Sequence, residues 1–354
     1  MTSNRTDRLI ASCAELDVDG MIVTGEANRR YLSGFTGSSG TLLISVNARW
    51  LVTDSRYTEQ AGRQAIDYDV IESVELLQQI KCWVVSLGVS RLGFESEHTS
   101  VKQLQELTDF LAAEQCLVTL VPLEDVVEAQ RVVKDKAELN LLTEAVRLAD
   151  DVMHCAGEWL VPGVVERDLA ADLEHHMRKL GGDGPSFPTI VASGPNGAMA
   201  HHSPGDRLIT NGDSVIVDLG VKLDGYCSDI TRTFYVGGSD DRFREIYGVV
   251  LSAQAAVETG MSAGMTGKTA DGLARQVIVD AGFGDCFGHG TGHGVGLEIH
   301  EAPTVSPRNE GRLPVGAVTS VEPGIYVPGW GGVRIEDLVV IGDDCVEVLT
   351  QSAK

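Results

Sequence analysis

The chain lacks three features that mark membrane and secreted proteins. No apolar run approaches the roughly 20 residues that a membrane-spanning helix needs. The first segment, MTSNRTDRLIASCAELDVDG, contains no apolar core of a signal peptide. The seven cysteines are odd in number, scattered and without the spacing of a metal site, as expected for reduced thiols. These absences predict a cytoplasmic protein with no membrane partner.

Basic residues are also scarce. The 28 lysines and arginines face 51 aspartates and glutamates, which gives a formal net charge of −23. Such a charge argues against nucleic acid or an anionic membrane as the partner. The composition, 43% hydrophobic and 22% charged, is that of a globular protein. At 354 residues the chain is too long for one ordinary core, which favours two domains.

Residues 1–128 are predicted to form a small α/β domain. Its GFTGSSG segment (34–40) could pass for a phosphate-binding loop, but it lacks the lysine and no helical pattern follows, so a turn is favoured. Strands are predicted at 20–25, 41–45, 49–54, 91–95 and 117–123, and helices at 58–66, 73–87 and 100–114.

Residues 129–354 are predicted to form an α+β domain in which antiparallel hairpins carry helices on one face. Its strand-like runs do not alternate with helices in βαβ fashion. The spacing from Gly163 to Gly181 equals that from Gly264 to Gly282, as a duplicated half-domain would produce. Helices are predicted at 136–160, 166–180, 241–260 and 269–281.

Five residues with good metal-ligand chemistry are distributed through this second domain. They are Asp218 in VDLG, Asp229 in SDITR, His293 in HGTGHGVG, Glu322 in VEPG and Glu336 in RIED. An unpaired charge is costly to bury in such apolar runs. Ion pairs with Arg232 or Arg334 are the alternative, but two arginines cannot neutralise four acids. If the fold assembles it, the set suits two hard or borderline divalent ions and predicts a two-metal hydrolase.

The spacing of the acids supports convergence in pairs. A hairpin closing over 222–225, around the turn signal Asp224-Gly225, would place Asp218 directly opposite Asp229. A second hairpin centred on the loop 328–332 would keep Glu322 and Glu336 on one face, displaced from direct opposition by two residues. Each hairpin would then present a pair of carboxylates.

Histidines are concentrated near the same sequence region. His289, His293 and His300 lie in FGHGTGHGVGLEIHE, where glycine at every second position permits close backbone approach. A nucleotide-binding loop is disfavoured because the dinucleotide fingerprint is missing and no long helix follows. At least one of His201 and His202, farther away in the chain, could line the same cleft.

Taken together, these phrases resemble the pita-bread metallopeptidases: methionine aminopeptidase, aminopeptidase P, prolidase and the metal-free relative creatinase. All five ligand positions match in order, and the additional N-terminal domain points to the proline-directed branch. YLSGFTGSSGTLLI (31–44) and GHGVGLEIHEAP (292–303) look like compact bacterial Xaa-Pro peptidases. The resemblance implies a C-terminal pita-bread fold, a homodimer and two divalent ions, with manganese favoured and cobalt or zinc able to substitute.

The resemblance also implies roles for individual residues. Asp218 would chelate the first metal, Asp229 and Glu336 would bridge both, and His293 and Glu322 would complete the second. The nucleophile would be a water or hydroxide held between the metals, with Glu322 as proton shuttle. The expected supporting residues are His201 and His300 on the substrate carbonyl, His289 near the leaving group, and Tyr326 and Arg334 behind the glutamates. Ala200 departs from relatives that have proline before the first histidine.

The expected substrate is a proline-containing peptide. An Xaa-Pro dipeptidase (prolidase) is preferred, chiefly on compact size, over an aminopeptidase P that cleaves longer peptides. A catalytically silent pita-bread binding protein is disfavoured because every metal ligand is retained. A creatinase-like hydrolase of a small non-peptide would be active without metal.

Overall fold

The computed structural model describes residues 2–238 and 240–354, and the chain divides into two compact units, Met1–Arg131 and Val132–Lys354. No helix in the described part of the chain combines the length and apolarity that a bilayer span requires.

The first unit contains a mixed sheet with helices around it, as the α/β prediction requires. Its strands are β1 (Gly20–Val23), β2 (Thr41–Ser45), β3 (Arg49–Thr53), β4 (Asp69–Glu72), β5 (Arg91–Glu95) and β6 (Thr119–Leu123). Its helices are α1 (Thr2–Glu15), α2 (Glu26–Ser33), α3 (Thr58–Gln64), α4 (Leu76–Leu87), α5 (Val101–Ala113) and α6 (Glu128–Arg131). The strand order is β4-β3-β2-β1-β5-β6. The GFTGSSG segment connects α2 to β2 as a turn, with the Arg29 guanidinium donating to the Gly37 carbonyl at 2.6 Å.

The second unit combines four long helices with antiparallel strands, which confirms the predicted α+β class. The helices are α7 (Lys136–Trp159), α8 (Glu166–Lys179), α9 (Asp241–Gly260) and α10 (Gly267–Asp280). The strands of its first half are β7 (Gly184–Pro185), β8 (Ile190–Ser193), β9 (Ser214–Leu219), β10 (Val221–Leu223), β11 (Tyr226–Cys227) and β12 (Ile230–Tyr235). Those of its second half are β13 (Gly292–Gly294), β14 (Glu301–Val305), β15 (Val318–Val321), β16 (Gly324–Val327), β17 (Gly331–Arg334), β18 (Asp337–Ile341) and β19 (Val346–Val348).

The two halves of this unit are built alike. Helices α8 and α10 each contain 14 residues, and the glycines before and after them, Gly163, Gly181, Gly264 and Gly282, all have positive φ angles. A residue with a Cβ atom is strained in that conformation, so these turns favour glycine. The equal glycine spacing in the sequence therefore corresponds to two equivalent helices.

Each half packs a helix pair against one face of a sheet. In the first half, alternate residues of β9 (Val215, Val217 and Leu219) pack with α7 and α8 in a buried core. Burying each such side chain contributes about 1.5–3 kcal/mol. Because side chains alternate along a strand, Ile216 and Asp218 face the opposite side of the sheet. The helices therefore cover one face, and the other is left to carry the polar residues.

Candidate metal centre

Asp218 and Asp229 belong to one hairpin, but they do not face each other directly. Asp218 pairs with Thr231, and the strands β10 and β11 meet at the pair Leu223 and Tyr226. The prediction of direct opposition is therefore wrong by two residues. The cause is the turn: Asp224 and Gly225, with φ angles of 45° and 74°, form a two-residue connection of the kind that suits a twisted hairpin. An even displacement leaves both aspartates on the same face.

Glu322 and Glu336 are closer to opposition than predicted. Strand β16 pairs with β17 through Gly324 and Arg334, and β15 pairs with β18 through Val321 and Asp337. Both pairings share one register, which places the two glutamates opposite each other in the gap between them. The predicted displacement of two residues is therefore wrong, because the hairpin loop centres on Gly329 and not on Trp330.

The backbone of each glutamate turns away from its own hairpin in this gap. The Glu322 amide donates to the Thr291 carbonyl at 2.7 Å, and the Glu336 amide donates to the Thr231 carbonyl at 3.1 Å. These two bonds join the glutamates to the histidine segment and to the aspartate hairpin. The three stretches that carry metal-ligand candidates are therefore connected through their main chains.

His293 lies in β13 between two glycines whose lack of a side chain is required. A Cβ atom at Gly292 would lie 2.0 Å from the Ser320 carbonyl oxygen, and one at Gly294 would lie 2.3 Å from the Ala302 carbonyl oxygen. The alternating glycines of the sequence thus let neighbouring strands approach closely on both sides of the imidazole. The predicted alternative of a nucleotide loop has no support here, because the run is part of a sheet.

The five predicted ligands line one cavity of about 600 Å³. His293 Nε2 lies 3.3 Å from Glu322 Oε1 and 3.6 Å from Asp229 Oδ2. Ligand atoms of Asp229, His293 and Glu336 lie within 4.8 Å of one another. The fold therefore assembles acids and an imidazole that are separated by more than 100 residues in the sequence.

The carboxylates at this centre are incompletely paired. Among the described residues, three buried carboxylate oxygens have no hydrogen-bond partner, and all three belong to this centre: Asp218 Oδ1, Asp229 Oδ1 and Glu336 Oε1. Leaving a buried charged oxygen unpaired costs several kcal/mol, on the order of the penalties known for buried polar groups. One imidazole nitrogen and several free carboxylate oxygens are the donors that divalent cations such as manganese or zinc accept. The residues present therefore fit a divalent metal centre.

The electrostatics of the cluster agree with this donor set. Burial, followed by the charges of neighbouring carboxylates, raises the pKa of Asp229 and of Glu336 well above their usual values. Burial also raises the pKa of Glu322 and lowers that of His293. Without a cation, the chain lowers the charge of the cluster by holding protons on the acids. A metal ion would replace those protons.

Adding a divalent metal is therefore expected to raise the melting temperature more at about pH 8 than at about pH 5.5. The folded, metal-free chain keeps protons on acids that ionise near pH 4 in the unfolded chain. Its free energy of unfolding therefore falls as the pH rises from about 4 toward the raised pKa values of the folded state. Metal binding compensates the charge of the ionised acids and so removes this loss of stability. The rise in melting temperature that the metal produces is therefore larger at higher pH. Thermal unfolding with MnCl₂ or with EDTA checks this, and an equal shift at both pH values would contradict it.

Arg334 is the cation that the structure does place at the centre. Its side chain is 4% exposed, and its Nη2 donates to Asp218 Oδ2 at 2.5 Å. Its other nitrogens donate to the Tyr326 hydroxyl at 2.8 Å, the Thr231 hydroxyl at 3.1 Å and the Ala200 carbonyl at 3.2 Å. Arg334 was expected to orient the glutamates, but the acid that it contacts is Asp218. The alternative of ion pairing accounts for one acid of the four.

The predicted histidines lie in the same cavity but in different surroundings. His201, His289 and His300 line it together with His202. The rings of His293 and His300 have centroids 4.4 Å apart in an edge-on arrangement, and His289 Nε2 lies 2.9 Å from the Tyr326 hydroxyl. Burial lowers the pKa of His289 and of His300, which favours neutral rings.

Several residues at the centre were not predicted from the sequence. The Thr231 hydroxyl donates to Glu336 Oε2 at 2.7 Å, and the Ser320 hydroxyl donates to Glu322 Oε1 at 3.1 Å. The Ser320 hydroxyl also accepts from the His293 amide at 3.0 Å. For Thr231 a signal existed, since it follows Asp229 by two residues on the same strand face. Ser320, two residues before Glu322, carries the same signal.

Comparison with known proteins gives matches over nearly the whole chain. The model of metallopeptidase family M24 matches residues 140–343, and that of the creatinase/prolidase N-terminal domain matches residues 5–133. An Xaa-Pro dipeptidase of Pyrococcus furiosus is 34% identical over 99% of this chain and 98% of its own. The structure of an Xaa-Pro dipeptidase from Bacillus anthracis superposes with a TM-score of 0.95 at 39% identity, covering 100% of this chain and 99% of that one. An X-Pro aminopeptidase structure from Thermotoga maritima gives a TM-score of 0.91 at 36% identity, covering 98% and 97%.

Proposed function

The chain belongs to metallopeptidase family M24, and we propose that it is an Xaa-Pro dipeptidase that works through a dinuclear divalent metal centre in its pita-bread domain. The observation that carries the proposal is the convergence of five ligand side chains in one cavity with three of their carboxylate oxygens unpaired. We further propose residues 1–128 as the creatinase-like N-terminal domain and 129–354 as the catalytic domain.

The proposed metal ligands divide into three roles. Asp218 would hold the first ion, Asp229 and Glu336 would bridge both, and His293 and Glu322 would hold the second. When bound, such ions polarise a carbonyl group and lower the pKa of a water molecule to near neutrality. The unpaired oxygens of the aspartates and of Glu336 support metal binding at these three side chains.

The remaining polar groups act on the peptide and on protons. Glu322, whose Oε1 lies between the Ser320 hydroxyl and His293 Nε2, is proposed to accept a proton from the attacking water and to return it to the proline nitrogen. His201 and His300 are proposed to donate to the carbonyl oxygen of the scissile bond. His289, fixed by Tyr326, is proposed to support the leaving-group side. A neutral His300 suits its task because it can still donate one N–H.

Manganese is the proposed native ion, because four of the five ligands are carboxylates and oxygen-rich sites suit manganese. Cobalt or zinc could substitute, because the imidazole ligand also suits these ions. A cytoplasmic location and a homodimer remain proposals. The cysteines support a reducing compartment in that all seven are free thiols. Light scattering would test the dimer directly.

Hydrolysis of dipeptides but not of tripeptides is the expected result of the functional test. The Mn²⁺-loaded protein is assayed with Ala-Pro, with Ala-Pro-Ala and with Pro-Ala as the reversed control. Cleavage of Ala-Pro alone supports the dipeptidase. Efficient cleavage of Ala-Pro-Ala would instead assign the chain to the aminopeptidase branch, which the likeness to the Thermotoga maritima structure keeps as the second candidate. Full activity after metal removal would contradict both.

A further inference from the structure

A single buried carboxylate, remote from the proposed ligands in sequence, organises one wall of the cavity. Glu166 is the first residue of α8, and its side chain is 0% exposed. Its Oε1 accepts from the Ser193 amide at 2.7 Å, the Ser193 hydroxyl at 2.5 Å and the Asn196 side chain at 3.0 Å. Its Oε2 lies 2.8 Å from His202 Nε2 and accepts from the Gly205 amide at 3.3 Å.

These partners all belong to residues 193–205, which we call the His201 loop. Ser193 is the last residue of β8, and beyond it the loop has no regular secondary structure apart from one short turn of 3-10 helix, Gly194–Ala198. Glu166 binds both the beginning of the loop, at Ser193 and Asn196, and its end, at His202 and Gly205. A loop without its own hydrogen-bond ladder depends on such side-chain contacts for a fixed position.

The loop carries a residue proposed to act on the substrate. His202 turns its ring to Glu166, whereas the adjacent His201 is exposed and lines the cavity. The preceding Ala200 carbonyl accepts a hydrogen bond from Arg334, the arginine that also contacts Asp218. The position of His201 relative to the metal centre is thus set from two sides, by Glu166 on one and by Arg334 on the other.

The charge of Glu166 matters for this arrangement. Burial by itself would raise the pKa of Glu166, but the hydrogen bonds from Ser193, His202 and Asn196 lower it below its ordinary value. An ionised carboxylate offers acceptors on both oxygens, which the five donors around it require. An uncharged amide at this position would present one acceptor oxygen and one donor group. At least part of the loop would then lose its partner.

We propose that Glu166 is a positioning residue for peptide hydrolysis, which holds the His201 loop so that His201 meets the substrate carbonyl. The inference rests on the proposed function and adds a residue outside the metal centre to it. Glu166 touches neither the ligands nor, in this arrangement, the substrate. Glu166 acts on His201 through its contacts with Ser193 and His202. Misplacing a catalytic group by about 1 Å costs up to about 100-fold in rate.

The test is a double-mutant cycle of E166Q with H201A in the Mn²⁺-loaded protein. E166Q alone is expected to lower kcat for Ala-Pro by about 10- to 100-fold while metal content stays at the wild-type value. In the H201A background, E166Q is expected to cost little more, because the residue that it positions is already gone. Multiplicative losses, or an E166Q enzyme within twofold of wild type, would overturn the proposal.

Two further variants and a second readout keep the test interpretable. If E166Q fails to fold, H202Q takes its place, because it removes one contact to Glu166. H202Q is expected to lower kcat by less than E166Q would, and its loss should likewise be non-additive with that of H201A. E138Q is the matched control: Glu138 is also a buried helix carboxylate, but it accepts from the Asp135 amide and the Tyr226 hydroxyl, away from the cavity lining, so kcat should stay near wild type. Amide hydrogen exchange should accelerate in 194–205 and not in 287–293 of E166Q, and unchanged exchange in 194–205 would overturn the proposal.

The exchange measurement separates the two possible failures. A wild-type protein inactive on every Xaa-Pro peptide would refute the proposed function. Accelerated exchange in the His201 loop of E166Q would still support the anchoring contact in that case. An active wild type with additive mutant losses would leave the function standing and refute the role of Glu166.

Discussion

Replacing Glu336 with alanine is expected to lower kcat/KM for Ala-Pro by at least about 10³-fold, since even residues behind metal ligands cost 10- to 100-fold. Glu336 is proposed to bridge both ions, so its loss removes a ligand from each. Its Oε1 is unpaired and its Oε2 accepts from Thr231, so one oxygen is free and the other oriented. Steady-state kinetics and metal content by elemental analysis check the result.

The large loss of activity should not be accompanied by a comparable loss of stability of the metal-free protein. Burial and the charges of Glu322 and Asp218 act against ionisation of Glu336, so the metal-free fold favours an uncharged side chain at this position. The isosteric variant Glu336→Gln is expected to melt at or above the wild-type temperature in EDTA while showing the same loss of activity. Glu347→Ala, an exposed carboxylate on β19, is the control and should leave both quantities unchanged. Wild-type activity in Glu336→Ala would refute its role as a ligand.

Replacing Arg334 with methionine is expected to destabilise the metal-free protein by about 3–5 kcal/mol, the usual cost of removing one partner of a buried ion pair. The change leaves Asp218 Oδ2 without its donor and removes the partner of the Tyr326 hydroxyl and the Ala200 carbonyl. Activity is expected to fall by about 10- to 100-fold as well, because the Arg334 guanidinium orients the proposed ligand Asp218. Denaturant unfolding in EDTA measures the stability change.

Metal should offset part of this loss. A cation bound at Asp218 supplies the positive charge that the guanidinium no longer provides, so the stability deficit of Arg334→Met is expected to be smaller in MnCl₂ than in EDTA. Arg242→Gln is the control, since that exposed guanidinium lies over the Trp330 ring at 5.1 Å and outside the cavity lining. An equal deficit with and without metal would contradict the charge argument.

Much of the fold could be predicted from the sequence because local patterns determine it. Strands at 41–45 and 91–95 and the helix at 241–260 were predicted with the bounds that the structure has. Apolar alternation and helical periodicity are properties of neighbouring residues, so they can be read from the chain directly. Strand β4 was not predicted, because its burial pattern shows no fully buried residue and its ends are acidic.

The hairpin registers show where such prediction ends. The Asp224-Gly225 turn was predicted correctly as a turn, yet the pairing around it was displaced by two residues. The loop at Gly329 was centred one residue too late for the same reason. A turn signal fixes the neighbourhood of a reversal, whereas the register depends on backbone φ angles at single residues. Since both errors were even displacements, the predicted face of every acid was unaffected.

Contacts between distant segments could not be predicted. Glu166 begins a helix in an ordinary acidic first turn, and nothing nearby in the sequence indicates that it binds a loop about 30 residues later. An ion pair between Arg334 and one of the acids was anticipated, but the choice of Asp218, at a separation of 116 residues, was not. Side-chain hydrogen bonds of this range follow from the assembled fold and have no local signature.

Anomalous diffraction from Mn²⁺-soaked crystals tests the central claim most directly. Two manganese peaks are predicted in the cavity, with oxygen ligands from Asp218, Asp229, Glu322 and Glu336 and a nitrogen ligand from His293. Peaks elsewhere in the molecule, or no peak within coordination distance of these side chains in a fully active preparation, would contradict it.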